Sequence, residues 1–187
     1  DAPSVTTEDG TVHKADIVIG ADGAYSAVRQ ALQKLPDFQF QESYLDHGYK
    51  ELHIPPVASG KHAPFALEPN ALHIWPHGGS MMIALPNPDG SFTCTLFWPF
   101  TGEHSFEQVQ SGDIHGFFRE YYSDVVDLMP TLLEDFAQNP TSRLVTIRCD
   151  PWFRNRVVLL GDAAHAIVPF YGQGANAAFE DCSALAD

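Results

Sequence analysis

The sequence predicts a mixed α/β (α+β) fold, in which a domain with strand and helix units is interrupted by a domain built on an antiparallel sheet. Three observations carry this prediction. A short apolar strand, an acidic turn and a helical pattern follow one another near the start of the chain, and the same order returns at residues 156–186. Between them lies a β-rich block whose runs are separated by turn sequences. We therefore expect residues 1–35 and 151–187 to form one discontinuous domain and residues 36–150 to form a second.

The beginning of the chain predicts a hairpin, a strand and a helix. Residues 4–13 are β-prone on both sides of the tight-turn sequence EDG, which is typical of a hairpin. Residues 16–20 (DIVIG) predict a short apolar strand. A helix then runs to about Leu35, and Ser26 is suited to cap its amino terminus.

The middle of the chain predicts an antiparallel meander followed by helices. Residues 44–54 alternate in polarity and predict one strand. Three shorter β-like runs follow, at residues 72–75, 81–85 and 91–98, separated by the turn sequences HGG and NPDG. Helical patterns occupy residues 105–122 and 130–138, where Pro130 suits a first helical turn, and residues 143–148 alternate as a further strand.

The last strand of the meander has two faces of similar polarity. Alternation gives one face to Phe92, Cys94, Leu96 and Trp98 and the other to Thr93, Thr95 and Phe97. Because both faces are largely apolar, we expect one to be covered by the core and the other to face a pocket. An ordinary sheet core on both sides is the alternative.

Composition excludes several classes of partner. Ten Lys and Arg against 24 Asp and Glu give a formal charge of -14, which repels nucleic-acid phosphates and anionic lipid. Cys94, Cys149 and Cys182 are far apart and match no zinc or redox spacing, so we expect reduced, buried cysteines in an intracellular protein. No window of about twenty apolar residues is long enough to predict a membrane span.

The second strand and helix unit carries the most informative pattern. Residues 157–160 predict a buried strand that ends at Gly161 and Asp162, and Gly172 and Gly174 precede the next helix. An aspartate at a strand end is also a common turn residue. The two glycines, however, let the backbone approach a flat or phosphorylated ligand, and the helix start offers free N–H groups. We therefore expect a bound cofactor here.

Two further side-chain arrangements follow from these units. In the helix at residues 175–186, Ala178, Cys182 and Leu185 recur at helical spacing and predict an apolar face. In the first unit, Arg29 could pair with Asp22 or contact a phosphate, and the sequence leaves both roles open.

Other catalytic chemistries lack their central residues. None of the nine histidines has the spacing or the cysteine partners of a metal site, so we expect no metal. The chain contains no Gly-x-Ser-x-Gly elbow and no Gly-x-x-x-x-Gly-Lys loop. The segment GDAAH at residues 161–165 is superficially similar to a metallophosphatase motif, but the further ligand motifs of that class are missing.

Two long motifs resemble a known family. Residues 16–29 (DIVIGADGAYSAVR) resemble the DG motif, and residues 156–180 (RVVLLGDAAHAIVPFYGQGANAAFE) the GD motif, of the flavin-dependent aromatic hydroxylases with the para-hydroxybenzoate hydroxylase fold. The stronger resemblance is to the members that hydroxylate L-kynurenine. It is carried by HGYKEL, LHIWP, MMIALPN, SFTCTLF and VPFYGQGAN, and it extends over nearly the whole chain.

The resemblance implies a role for each motif. The terminal segments would be parts of an FAD-binding, Rossmann-like domain, and the middle a substrate domain. Asp162 would accept hydrogen bonds from the ribityl hydroxyls of FAD, and the helix start would present N–H groups to the isoalloxazine. The implied cofactor-binding residues are Asp22, Gly23, Ala27, Arg29, Gly161, Asp162, Gly172, Gly174, Ala175 and Asn176. The implied substrate-binding residues are Met81, Ile83, Leu85, Thr95, Phe97, Pro169, Phe170 and Gln173.

The resemblance also implies a reaction. The enzyme would use NADPH, O2 and FAD to hydroxylate L-kynurenine at position 3, through a flavin C4a-hydroperoxide, in tryptophan degradation. No side chain is needed as acid or base, and Pro169 and Phe170 would lie beside the flavin. Two alternatives stay open: a related FAD-dependent hydroxylase or reductase acting on another aromatic or a lipid, and a non-catalytic binding module. The location would be cytoplasmic in a bacterium or the mitochondrial outer membrane in a eukaryote.

Two departures from the family pattern bear on activity. The family usually has methionine where Ala175 stands, and we expect the smaller side chain to alter coupling more than binding. The family's adenine-side Gly-x-Gly-x-x-Gly unit and its C-terminal region are not in the sequence. We therefore expect that this polypeptide by itself neither retains FAD nor turns over.

Overall fold

The computed structural model describes residues 2–110 and 112–186. The chain divides into two compact units, one made of the residues up to Tyr44 together with those from Leu144 onward, the other of Leu45–Arg143. The regular elements, in chain order, are β1 (Ser4–Thr6), β2 (Val12–Lys14), β3 (Val18–Gly20), α1 (Ala27–Leu32), β4 (Gln39–Ile54), β5 (His73–His77), β6 (Ser80–Pro86), β7 (Phe92–Pro99), α2 (Phe106–Gln110), α3 (Ile114–Tyr121), α4 (Leu132–Gln138), β8 (Ser142–Asp150), β9 (Phe153–Arg154), β10 (Val157–Leu159), α5 (Asp162–His165) and α6 (Gly174–Ala186).

The first unit contains the expected hairpin and a small sheet. Strands β1 and β2 pair antiparallel, and β10 lies between β3, to which it is parallel, and β9, to which it is antiparallel. The core of this unit is small, because only Leu32, Leu159, Ala163 and Ala164 form its buried cluster. Two elements of this unit, β9 and α5, were not predicted, since two and four residues are too short for a periodic pattern.

Helix α1 begins where the sequence predicts and ends earlier. The Oγ of Ser26 accepts the N–H of Arg29 at 2.9 Å, which confirms Ser26 as the N-cap. The helix was expected to reach Leu35 but ends at Leu32, and Leu35 closes a tighter turn on the Leu32 carbonyl. Pro36 explains the difference, because a residue before proline is disfavoured in the α conformation.

The second unit contains the predicted antiparallel meander. In the larger sheet, the strands β5, β6, β7 and β4 are neighbours in this order. Strands β5, β6 and β7 pair antiparallel in succession, and β7 pairs antiparallel with β4. One face of β7 is buried with α2, α3 and α4 in an aromatic core, in which Trp98 lies 5.5 Å from Phe106 and 4.3 Å from Phe117 between ring centroids.

The helical pattern at residues 105–122 forms two helices, so its prediction as a continuous pattern is wrong; residue 111 lies outside the described residues. A second N-cap explains the break. The Oδ1 of Asp113 accepts the N–H of Gly116 at 2.9 Å and starts α3. In α4, Pro130 lies just before the N-cap Thr131 and not in the first helical turn.

Alternation along β4 places a lysine on the covered face. Lys50 is buried, and its Nζ donates to the carbonyl oxygens of Phe136 at 3.0 Å and Asn139 at 2.5 Å. These carbonyls end α4, where the helix dipole favours a cation. Burial lowers the pKa of Lys50 from its ordinary value, and the two carbonyls supply the partners that a buried ammonium needs.

Candidate functional site

The parallel pairing of β3 with β10 brings the two acidic turns to one edge of the small sheet. Val18 is opposite Val157 and Gly20 is opposite Leu159, and the N–H of Leu160 donates to the Gly20 carbonyl at 3.0 Å. Both strands therefore end at the same level. In open α/β sheets, ligands bind outside the carboxyl ends of such strands.

A cleft of about 610 Å³ opens at this edge. It is lined by Ala21, Gly23, Leu160, Gly161, Asp162, Ile167, Pro169, Gly172, Gly174, Ala175, Ala178 and Cys182. The volume is in the range of small-molecule and cofactor sites. The lining contains one carboxylate and is otherwise made of backbone and small or apolar side chains, so a flat ligand could approach the main chain closely.

Asp22 belongs to the start of α1 and not to the free surface of the cleft. Its Oδ1 accepts the hydroxyl of Ser26 at 2.5 Å, and its Oδ2 accepts the N–H groups of Ala27 at 2.7 Å and Val28 at 3.2 Å. Partial burial acts to raise the pKa of Asp22, but these hydrogen bonds outweigh it and hold the pKa below its ordinary value. The N–H of Ala27, an implied cofactor ligand, is thus already used within the chain.

We expect Asp22→Asn to lower stability by about 1 kcal/mol at pH 7, because the carboxylate accepts with both of its oxygens and the amide has one acceptor oxygen and no charge. Because the folded pKa is lowered, the contribution of Asp22 is fully present above the unfolded value of 3.8 and is lost as the pH falls through the folded pKa. Urea unfolding at pH 7 and near pH 3 measures this, with the exposed Asp16→Asn as control. A difference between wild type and Asp22→Asn that persists undiminished at the lower pH would contradict the assignment.

Arg29 joins the two motifs through main-chain oxygens. One terminal guanidinium nitrogen, Nη1, donates to the Ala163 carbonyl of α5 at 2.8 Å, and Nη2 donates to the Ala24 carbonyl at 2.5 Å. Its side chain is 2% exposed and lies 5.0 Å from the centre of the Phe40 ring. The salt bridge to Asp22 that the sequence left open does not form. Arg29 therefore fixes the loop after β3 to α5.

Asp162 differs from Asp22 in that its carboxylate is not used by the fold. Its side chain is exposed and lines the cleft, and within residues 2–110 and 112–186 it accepts no hydrogen bond. A Cβ built on Gly174 would lie 3.9 Å from Asp162 Oδ1, an ordinary contact distance, so this carboxylate lies beside the start of α6. Asp162 can accept hydrogen bonds from a ligand.

The glycine-rich loop leads into α6 as expected. Gly172 has φ of +62°, which suits glycine, and ends the 3₁₀ turn Pro169–Tyr171. The side chain of Gln173 links this loop to the helix: its Nε2 donates to the Tyr171 carbonyl at 3.1 Å, and its Oε1 accepts Asn176 Nδ2 at 3.0 Å. The first turn of α6 contains Ala175 and Asn176, whose N–H groups have no acceptor within the helix.

The apolar face predicted for α6 is not buried. Cys182 and Leu185 are exposed, Ala178 is half-buried, and no residue of Gly174–Ala186 is buried. Cys94 is buried and Cys149 half-buried, so the prediction of buried cysteines is wrong for Cys182. Helical spacing identifies a face but not what covers it.

Sequence reasoning missed a hydrogen-bonded pair of side chains next to the residues that line the cleft. His165 Nε2 lies 2.7 Å from Asp181 Oδ2, and the same oxygen accepts the N–H of Gly161 at 2.7 Å. Trp152 packs on His165 with ring centroids 4.8 Å apart. The GDAAH motif contains the histidine, but its partner lies 16 residues away, and no local spacing rule connects the two.

In the second unit, the register of the meander assembles the predicted substrate residues on one face. Met81 is opposite Phe97, and Ile83 is opposite Thr95. Leu85 lies on the same face by alternation and is 49% exposed, whereas Phe97 is buried, with 3% of its surface exposed. These five side chains are therefore neighbours on the face opposite the aromatic core. Tyr49 of β4 joins them opposite Phe97, with ring centroids 6.3 Å apart.

The remaining predicted substrate residues lie in the first unit. Pro169 and Phe170 belong to the 3₁₀ turn that precedes Gly172, and Gln173 follows it. Pro169 also lines the cleft beside Asp162. The structure thus brings Pro169 to the cleft, whereas Phe170 and Gln173 are its neighbours in the chain and are not among the lining residues.

Comparison with known proteins identifies what this chain resembles. The model of the FAD binding domain family matches residues 3–187. The chain is 54% identical over 178 residues to a protein named kynurenine 3-monooxygenase from Dictyostelium discoideum, covering 94% of this chain and 38% of that protein. It is 48% identical over 184 residues to the protein of that name from Anopheles gambiae, covering 97% of this chain and 37% of that protein. The chain thus spans about two fifths of the length of the curated relatives it matches.

Solved structures support the fold. A tetrameric form of 2-methyl-3-hydroxypyridine-5-carboxylic acid oxygenase gives a TM-score of 0.71 at 23% identity, over 95% of this chain and 46% of that chain. Klebsiella pneumoniae HpxO, complexed with FAD and uric acid, gives 0.69 at 22% identity, over 97% of this chain and 44% of that chain. Over the described residues, none of the helices has the length and apolar character needed to cross a membrane.

Proposed function

The chain belongs to the FAD binding domain family, and from this premise we propose that it is the central region of a flavin-dependent aromatic monooxygenase that uses NADPH and O2. The observation that carries the proposal is the carboxylate of Asp162, which lines the cleft opposite the glycine-lined start of α6 and is not used by the fold. Identities of 48–54% to proteins named kynurenine 3-monooxygenase support L-kynurenine as the substrate and 3-hydroxykynurenine as the product.

The cleft fits a flavin in the chemistry of its groups. Asp162 would accept hydrogen bonds from ribityl hydroxyls, which are donors that a free carboxylate binds well. Gly172 and Gly174 leave the backbone accessible to a flat ring, and Gly23 also lines the cleft. The first-turn N–H groups of α6, at Ala175 and Asn176, would face the end of the ring system that takes up negative charge.

When bound, FAD supplies the redox chemistry that inserts one oxygen atom of O2 into an aromatic ring at the expense of NADPH. The residues of this chain would hold the reactants and exclude water. Arg29 keeps the loop after β3 fixed to α5, and Asp22 anchors the same loop to α1. Neither contact requires the ligand, so both preorganise the site.

The sheet face opposite the aromatic core would bind the substrate ring. Met81, Ile83, Leu85 and Phe97 supply apolar surface, and Thr95 supplies a hydroxyl. None of these five groups titrates near neutral pH, which suits a reaction in which the substrate's own amine activates the ring. We assign the cofactor role to residues 1–35 and 151–187 and the substrate role to residues 36–150, with Pro169, Phe170 and Gln173 beside the flavin.

The test is NADPH consumption by the full-length protein, with and without L-kynurenine, with 3-hydroxykynurenine and H2O2 measured together. We expect kynurenine to accelerate NADPH loss and the hydroxylated product to appear, while para-hydroxybenzoate, as a control aromatic, leaves the basal rate unchanged. Bound flavin with no response to kynurenine would remove the substrate assignment and leave a related hydroxylase. A full-length protein without flavin absorbance would remove the enzyme assignment. We propose an intracellular location.

A further inference from the structure

Helix α6 forms one wall of the cofactor cleft, although burial does little to hold it in place. Its residues Gly174, Ala175, Ala178 and Cys182 line the cleft. No residue of the helix is buried, so hydrophobic packing contributes little to its position. Within this region, the polar contacts of the helix therefore bear on the distance between its amino terminus and the rest of the cleft, and one attachment is prominent.

The carboxylate of Asp181 supplies that attachment. Its Oδ2 accepts the N–H of Gly161 and is 2.7 Å from Nε2 of His165, and an ionised carboxylate can only accept, so the imidazole donates. The side chains of His165 and Asp181 are 18% and 11% exposed. Hydrogen bonds to a charged group in such a poorly solvated place are stronger than those between neutral groups at a surface.

The two groups that Asp181 binds lie at the two ends of α5. Gly161 precedes the helix, His165 ends it, and Asp162 is its first residue. A four-residue helix is not stable by itself, so its orientation depends on contacts with other elements. Two carbonyl oxygens of α5 are also bonded: that of Ala163 accepts from Arg29, and that of Ala164 accepts from the thiol of Cys149.

Gly161 permits this close attachment for two reasons. Its φ of +57° with ψ of -140° is a conformation that only glycine adopts readily. A Cβ there would lie 3.2 Å from the Cβ of Ala178, so α6 packs directly on the backbone of the turn. The Asp181 contact is therefore made where α5 and α6 pack closely.

We infer that Asp181 and His165 are positioning residues that set the separation between the Asp162 carboxylate and the amino terminus of α6, and thereby the affinity of the cleft for FAD. The inference rests on the proposed function only in naming FAD as the ligand. We assign neither the Asp181 nor the His165 side chain a contact with FAD. Their effect is transmitted through α5 and α6.

The test compares FAD affinity among variants of the full-length protein after removal of the flavin. We expect Asp181→Ala to weaken FAD binding by at least about tenfold, because it leaves the Gly161 N–H and the imidazole without their acceptor. Asp181→Asn should stay within about threefold of wild type, since an amide oxygen can accept both N–H groups. Glu180→Ala removes the same charge from the adjacent exposed position and should change nothing.

A second readout separates positioning from loss of fold. In the flavin-free protein, hydrogen exchange at the Gly161 amide should accelerate by about tenfold or more in Asp181→Ala while the unfolding midpoint of the rest of the protein stays near that of Glu180→Ala. If Asp181→Ala does not fold, the FAD affinities of Asp181→Asn and His165→Ala test the positioning role instead. His165→Ala should give an intermediate loss of affinity, because it removes one of the two hydrogen bonds that Asp181 accepts.

The outcomes distinguish this inference from the proposed function. Equal FAD affinity in Asp181→Ala and Glu180→Ala, with normal turnover of kynurenine, overturns the positioning role alone. A loss of affinity in Asp181→Ala that Asp181→Asn does not restore also overturns it, because a general loss of structure would then explain the data. A clear effect of Asp181 with no response to kynurenine overturns the substrate alone. A wild-type protein that binds no FAD overturns both.

Discussion

Replacing Asp162 by alanine in the full-length protein is expected to weaken FAD binding by about 10- to 100-fold, because a hydrogen bond to a charged group is worth about 1.5–3 kcal/mol. The same change should leave the unfolding free energy nearly unaltered. Its carboxylate accepts no hydrogen bond among residues 2–110 and 112–186, so the fold loses no contact. FAD titration of the flavin-free protein and urea unfolding of the same samples measure the two effects.

Asp16→Ala is the matched control, because it removes the same charge at the opposite end of β3, at an exposed position. It should change neither quantity. Asp22→Asn completes the comparison: it should cost stability, and any effect on FAD should follow from that cost. An Asp162→Ala protein that binds FAD as tightly as wild type would show that the free carboxylate is not a ligand of the cofactor.

Local chemistry accounts for the elements that the sequence predicts. Ser26 caps α1 because a serine oxygen can accept an orphan N–H of a first helical turn. The meander follows from turn residues such as Gly90, whose φ of +91° suits glycine, between alternating runs. In each of these cases the determining residues lie within a few positions of one another.

Contacts between distant residues account for what the sequence could not supply. The parallel pairing of β3 with β10 joins residues more than a hundred positions apart, and the chain between them carries no signal of it. The same holds for the contact of Arg29 with the main-chain oxygen of Ala163, 134 residues away. A carbonyl is present at every residue, so no sequence pattern marks it as a partner.

The residues of the candidate site that could bind a ligand were therefore predictable from the sequence, whereas the contacts that hold them in position were not. Asp162, Gly172 and Gly174 were identified from residue type and order, and the structure brings them to one cleft. Asp181 was not identified, since the helix containing it reads as an ordinary mixture of small, apolar and charged residues. Its importance depends on the approach of α6 to Gly161, which only the tertiary structure provides.

The sheet face assigned to the substrate depends in turn on the core behind it, and one pair of leucines in α4 tests that core. Leu132 is 2% exposed and packs into the aromatic cluster under the sheet, whereas its neighbour Leu133 is 53% exposed. Helical geometry points the two side chains about 100° apart, so one residue type occupies two environments on the same turn.

We expect Leu132→Ala to lower the free energy of unfolding by about 2–5 kcal/mol, since it removes buried methyl groups and leaves a cavity among aromatic rings that cannot close freely. Leu133→Ala should change it by less than about 1 kcal/mol. Urea unfolding of the full-length protein measures both. Because α4 also receives Lys50 at its carboxyl end, loosening the helix should release a buried ammonium as well as apolar surface. Equal effects of the two changes would mean that α4 does not cover the sheet as described, and the opposite face would then lose its support as a substrate-binding surface.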